Sequence, residues 1–242
     1  MIVAESVGFA ATHSLTEILR GLPGYEVAHG SRHFEAKTPI GQDTQTPEEF
    51  VAAMQASAEA GNRPVALHTL MPPHQLKSAC EAAGADYWLL VRNPVDQVDS
   101  CFAWATARVM EGNSGAFLQV VNESLADLVN KGIEATLPNC LYTFALKHVL
   151  GYNFFALGLG TSFHKTEDLL ADEAAFRTAF AVPEEAEIAH FNGGSVHRRS
   201  HRAESPARHM ADPDRETLRA NIAVRLSERD YSIQDMNLLL GY

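Results

Sequence analysis

The sequence predicts an α/β fold, a three-layer domain with a parallel sheet and a helical flank, spanning all 242 residues. Three observations predict it. Short apolar runs alternate with helix-period segments through the first half, the pattern of βαβ units. Asp86–Val91 (DYWLLV) is aromatic and aliphatic nearly throughout, as in a strand covered on both faces. The second half is mostly helical in pattern.

Met1–Val7 is the first strand candidate, followed by a turn and a helix over about Thr12–Arg20. Tyr25–Ala28 is a second, weaker strand. Thr46-Pro47-Glu48-Glu49 reads as a helix start: Thr46 caps, Pro47 suits the first turn, and the acids favour the positive end of the helix dipole. Phe50, Val51, Met54 and Ala58 form that helix's apolar stripe, and Gly61-Asn62 stop it. Pro64–Leu70 is a third strand, Pro72–Ala83 a helix, and Asp86–Val91 the fourth strand. Arg92-Asn93-Pro94 opens a helix with Val95, Val98, Phe102 and Val109 at helical spacing. Helices are expected over about Ala116–Ala135, Cys140–Leu150 and Ala171–Phe180, and from near Asp214 and Ser232. No repeat and no linker marks a domain boundary.

Composition narrows the function classes. With 46% hydrophobic and 20% charged residues, the chain is neither collagen-like nor low-complexity. No apolar run reaches the roughly 18 residues of a membrane span, and Met-Ile-Val-Ala-Glu-Ser lacks the basic flank and apolar core expected of a signal peptide. Three cysteines (Cys80, Cys101, Cys140) without a CxxC argue against a disulfide framework or zinc site, so the expected location is cytoplasmic. The formal charge of −11 argues against nucleic-acid and anionic-membrane partners. One stretch runs the other way: Arg198, Arg199, Arg202 and Arg208 with His197, His201 and His209, against the single acid Glu204. It reads as a solvated basic loop or as a grip for a small anion. Eleven histidines include no HExxH or matching ligand set, so no metal is expected.

In a parallel sheet, ligands bind beyond the carboxyl ends of the strands, where four segments fall. The turn Gly8-Phe9-Ala10-Ala11-Thr12-His13-Ser14 leads into a helix whose first amides suit phosphate or sulfate, with Thr12 and Ser14 as added hydroxyl donors. The turn has one Gly and no Lys, so it is not a Walker A loop. Without a GK(S/T), a kinase-like reading lacks its phosphate-binding Lys and its Mg²⁺ ligand. Arg92 ends the buried strand, where its planar fork suits an oxyanion or a neighbouring acid such as Asp96, and Ser100 lies two turns further on. His68, at the end of strand three, is a proton acceptor or a hydrogen-bonded core residue. After strand two, His29, Arg32, His33, Glu35 and Lys37 form either a substrate-contacting or an exposed polar loop.

Together these segments resemble the sulfotransferase superfamily, whose members have a P-loop-type fold and use 3′-phosphoadenosine 5′-phosphosulfate (PAPS). Leu89-Leu90-Val91-Arg92-Asn93-Pro94, continuing to Ser100, resembles the family's strand–RNP–helix element. The match implies that Arg92 and Ser100 hold the 3′-phosphate. Gly8–Leu15 resembles its 5′-phosphosulfate loop, (K/R)-S-G-T-T-x-L, with Ala10, Ala11, Thr12 and His13 on the S-G-T-T positions. Lys165-Thr166-Glu167-Asp168-Leu169 resembles the late Tyr-Glu-Asp-Leu segment, and the closing Leu-Leu-Leu-Gly-Tyr the usual C-terminal ending. Asn192–Arg199 falls where members supply a Gly- and Arg-containing loop, so Arg198 and Arg199 are implied nucleotide contacts.

The resemblance implies sulfuryl transfer from PAPS to a hydroxyl or amine of a small molecule or glycan, leaving adenosine 3′,5′-bisphosphate. His68 is the preferred base, with Glu35 and the adjacent His33 as the other candidates. Two departures stand out: Phe9 occupies the loop's Lys/Arg position and Ala11 its Gly. His13, Arg198 or Arg199 would have to replace the cation. The alternative is a non-catalytic relative that binds an anionic nucleotide on the same fold.

Overall fold

The computed structural model describes residues 1–30, 45–189, 191 and 211–242. The elements are β1 (Ile2–Glu5), α1 (Thr12–Arg20), β2 (Tyr25–His29), α2 (Pro47–Glu59), β3 (Arg63–Leu67), α3 (Pro73–Ala82), β4 (Asp86–Val91), α4 (Pro94–Met110), α5 (Ser114–Asn130) and α6 (Leu137–Gly158). They continue with β5 (Phe163–Lys165), α7 (Thr166–Ala171), α8 (Glu173–Phe180), α9 (Arg215–Asn221), β6 (Val224–Leu226), β7 (Arg229–Tyr231) and α10 (Ile233–Leu240). The chain divides into two compact units, Met1–Arg92 with Ala156–His197, and Asn93–Phe155 with Arg198–Tyr242.

The first unit is the α/β body. Its five strands are all parallel in the order β2-β3-β1-β4-β5. β1 is central and buried along its whole length, as its unbroken apolar run before Glu5 requires. Alternate residues feed two cores. Ile2, Ala4, Val65, Leu67, Trp88 and Leu90 pack with Leu15 and Leu19 of α1 and with Leu169, Phe176 and Phe180 of α7 and α8. Val3, Ala28 and Ala66 pack with Phe50 and Met54 of α2 and Leu76 and Cys80 of α3. Helices therefore cover both faces of the sheet.

Local signals set the ends of the elements. Thr46 accepts a hydrogen bond from the Glu49 amide at 3.2 Å while the Glu49 carboxylate accepts from the Thr46 amide at 2.9 Å, closing a capping box on α2. Strand three is shorter than expected from Pro64–Leu70. It ends at Leu67, because His68 and Leu70 both take left-handed backbone angles (φ 53° and 66°) and turn the chain off the sheet. The helix expected over Ala171–Phe180 is α8, which starts two residues later, at Glu173, because Asp172 separates it from α7. Asp172 caps α8 by accepting from the Ala174 amide at 2.9 Å.

The second unit is mainly helical. Val98, Cys101 and Phe102 of α4, Val120 and Leu128 of α5, Leu141, Tyr142 and Val149 of α6, and Met236 and Leu240 of α10 are buried. β6 and β7 form a short antiparallel hairpin, with Val224 opposite Tyr231. Among the described residues, no helix is long and apolar enough to cross a membrane.

Candidate functional site

The strand order fixes where a crevice opens. The chain leaving β1 travels to β2 on one flank of the sheet, whereas the chain leaving β4 reaches β5 on the other. Such a switch point, here between β1 and β4, is where an open parallel sheet offers its ligand crevice. The turn after β1 and the residue after β4 stand on its two sides.

The β1–α1 turn is tightly wound. Gly8, Phe9 and Ala11 have φ of 93°, 61° and 51°, and Ser6 Oγ accepts from the Gly8 amide at 3.0 Å. Left-handed angles at two non-glycine residues mark a backbone held by its surroundings. Ala11 is the N-cap of α1 and carries no side-chain oxygen for the first-turn amides. Ala10 is fully buried. Its carbonyl and that of Val91 are each 3.0 Å from the Thr166 hydroxyl. A single buried hydroxyl thus ties the β1 turn to the end of β4. Thr12 Oγ1 lies 2.9 Å from His29 Nε2, its carbonyl accepts from the Thr16 hydroxyl at 2.7 Å, and Ser14 is buried.

Arg92 follows β4 directly. Its side chain is half-buried, and Nη1 donates to the Phe9 carbonyl at 3.4 Å. The guanidinium therefore reaches from one side of the crevice to the other.

On the opposite side of β1, a buried carboxylate organises the turn after β3. Glu5 is fully buried and accepts from the Ser6 amide at 2.9 Å, from the Thr69 amide at 3.0 and 3.1 Å, and from the Thr69 hydroxyl. Burial pushes its carboxyl above the ordinary range, against the opposing pull of His68 and of the Thr69 and Ser6 donors. His68 is half-buried, with Nδ1 2.7 Å from the Ser6 carbonyl. A carbonyl only accepts, so Nδ1 donates to it, and in the neutral ring the lone pair falls on Nε2. The His29 ring is 5.8 Å from His68 and 4.2 Å from the exposed His13. His29 and His68 thus stand at the carboxyl ends of β2 and β3, with His13 in the first turn of α1 beside them. Among the described residues, no set of three His, Cys, Asp or Glu side chains could hold a metal ion.

At this end of the first unit the structure gathers Ala10, Ala11, Thr12, His13, Ser14, Arg92 and His68. Ser100 lies half-buried on α4 in the second unit. His33 and Glu35, with Arg32 and Lys37, lie outside the described residues, as do Arg198, Arg199 and the rest of the basic stretch. Sequence reasoning missed Glu5, Thr69 and the clamp made by Thr166. An acid closing an otherwise apolar strand was the available signal for Glu5. The second unit also holds a cavity of about 790 Å³, lined by residues including Lys147, His148, Tyr152, Phe155, Val224 and Arg225. None of the sequence candidates lines it.

The chain matches no family model, no curated protein and no solved structure.

Proposed function

We infer that this protein is a PAPS-dependent sulfotransferase-like enzyme acting on a hydroxyl or amine of a small molecule or glycan, on a fold of P-loop type. One observation carries the reading: Arg92, at the end of a buried central strand, reaches the β1–α1 turn across the switch point of a parallel sheet ordered β2-β3-β1-β4-β5. A planar cation beside a tightly wound turn at a helix start is the donor set that an anionic phosphate ester needs.

In this reading Arg92 holds the 3′-phosphate, and Ser100 joins it on the strength of the sequence resemblance alone. The start of α1 at Thr12–Ser14 receives the 5′-phosphosulfate. The donor supplies the sulfuryl group. His68 accepts the acceptor's proton on Nε2 as the acceptor oxygen or nitrogen bonds to sulfur and the sulfur–oxygen bond to the leaving phosphate breaks. Hydrogen-bond donors fixed in advance around the transferring group stabilise the charge that develops there.

Phe9 in place of a cation, and Ala11 in place of a glycine, favour a second reading, a nucleotide binder without turnover. Calorimetry with adenosine 3′,5′-bisphosphate tests the shared part. Arg92→Ala is expected to weaken binding by about 2–4 kcal/mol, the loss typical of a charge-assisted contact that loses one partner. Unchanged affinity in a folded variant overturns the assignment. Sulfuryl transfer over an acceptor panel then separates the two readings, since binding without transfer favours the second.

A further inference from the structure

Glu5 is a carboxylate where the apolar pattern of β1 gives no reason for one. An ionisable group this deeply buried is costly unless it is paired or fully hydrogen-bonded. Its oxygens take both donors of Thr69 and the amide of Ser6. Thr69 stands between the two left-handed residues His68 and Leu70, so the carboxylate holds the most contorted point of the β3–α3 connection. His68 is in turn held from β1 by the Ser6 carbonyl on Nδ1, and Gly8 lies against its ring. Glu5 thus grips the imidazole's turn, and the residues directly after Glu5 grip the imidazole.

The charges around Glu5 point the same way. Cys80 of α3 and Tyr87 of β4 both feel its charge, and burial pushes both upward, the thiol to about 12. Neither is ionised near neutrality. A positive charge on the nearby His68 would pull the Glu5 carboxyl back down, against burial. His29 stands beyond His68, and Arg92 lies across β1 on the β4 side.

We propose that Glu5 is the positioning residue for His68: through Thr69 it fixes the turn that presents Nε2, and its carboxylate stabilises the imidazolium formed when His68 takes up a proton. This deepens the reading of His68 as the base and rests on it for its role in turnover, but the arrangement itself is testable without any transfer assay. The acceptor's proton would arrive on Nε2 while Nδ1 stays bonded to the Ser6 carbonyl, and the new positive charge would form beside a carboxylate shielded from solvent. Opposite charges so placed shift proton affinity by about tenfold or more.

The test is an NMR titration of the His68 Cε1–H and ring nitrogens, assigned with His68→Asn, in wild type, Glu5→Gln and Thr69→Val. Glu5→Gln is expected to lower the proton affinity of His68 about tenfold. Thr69→Val keeps the carboxylate and the bonds from the residue 69 amide but removes the hydroxyl's bond to Glu5, so the loosened turn is expected to reduce the share of the Nδ1–H form seen in the ring nitrogen shifts. A folded Glu5→Gln whose His68 titrates as in wild type overturns the proposal. If Glu5→Gln does not fold, Thr69→Val decides, and wild-type ring nitrogen shifts in that variant overturn it equally. Failure of the functional reading looks different: wild type binds no adenosine 3′,5′-bisphosphate and transfers no sulfuryl group, while the His68 titration still responds to Glu5. Where wild type does turn over, Glu5→Gln is expected to lower kcat and leave KM for the donor unchanged.

Discussion

Gly8 lies close to the imidazole of His68: a Cβ at residue 8 would fall 3.0 Å from Cε1 and 3.2 Å from Nε2. The ring cannot swing aside cheaply, because Nδ1 is bonded to the Ser6 carbonyl. Gly8→Ala therefore meets two penalties, a left-handed backbone (φ 93°) and a steric collision. Gly24 has φ 77° with nothing within 4 Å of the same Cβ, so Gly24→Ala meets only the first. We expect about 1–2 kcal/mol of destabilisation for Gly24→Ala and about 1–2 kcal/mol more for Gly8→Ala, read by urea unfolding. Equal losses in the two variants would show that the ring does not press on residue 8.

Ala11 presents the opposite case. It holds φ 51° with a Cβ in place, at the cap of α1 and on the position where the resembled loop carries glycine. Relieving a left-handed alanine recovers about 1 kcal/mol, against about 0.4–1 kcal/mol for the extra freedom that glycine gives the unfolded chain. Ala11→Gly is therefore expected to be neutral to stabilising, by up to about 0.6 kcal/mol. A urea midpoint that falls substantially at constant m-value contradicts the left-handed turn.

What the sequence disclosed follows from how local each signal is. α1 is read to its last residue, since Leu15, Ile18 and Leu19 repeat at helical spacing and all turn out buried. β4 is read in full because no polar residue interrupts DYWLLV after its first position. Thr46 announces α2 through a bond to its own third neighbour. β5, by contrast, is three residues of Phe-His-Lys, too short for an alternation to register, and it is a strand because it pairs with Leu89–Val91. The end of β3 was misplaced because the chain turns at His68 and Leu70, residue types that do not signal a left-handed angle. Glu5 meets its partner 64 residues away, and Thr166 meets the β1 turn 156 residues away. Contacts at such separations leave no periodicity to read. For the same reason, the position of Arg92 directly after β4 was legible from the strand it follows, while the clamp beside it was not.

That clamp supports a third prediction. The Thr166 hydroxyl has one proton to share between the carbonyls of Ala10 and Val91, and the residue is almost fully buried. Thr166→Val keeps the shape and leaves both carbonyls without that donor, a change that costs about 1–3 kcal/mol when the acceptors are buried. Because the two carbonyls belong to the β1 turn and the end of β4, the loss should also slacken the crevice. We expect faster hydrogen exchange at residues 8–12 than in a surface control such as Thr178→Val, whose hydroxyl bonds to the Ala174 carbonyl on its own helix. Identical exchange in the two variants would remove the clamp from any account of the site.

In the second unit, Tyr142 sets the response to alkali. Its hydroxyl accepts from Arg219 Nε at 2.7 Å, while Arg215 and Arg219 lie over its ring with guanidinium carbons 5.6 Å from the centroid. Burial, and after it the charge of Asp99, pushes the phenol up to about 12, with Arg219 pulling the other way. The unfolded chain gives up this proton near 10, so below that value both states keep it and its contribution to stability is complete. Between about 10 and 12 the unfolded state ionises first, and stability is lost as pH rises through that window. Near pH 11 the loss amounts to about 1.4 kcal/mol for this one group. Tyr142→Phe removes the acceptor of the Arg219 bond, which costs about 1 kcal/mol near pH 8, but it also removes the titrating phenol. The gap between wild type and variant in denaturant unfolding should therefore close, or change sign, between pH 8 and 11. A gap that stays constant over that range would mean that the Tyr142 phenol ionises equally readily in the folded and unfolded chains.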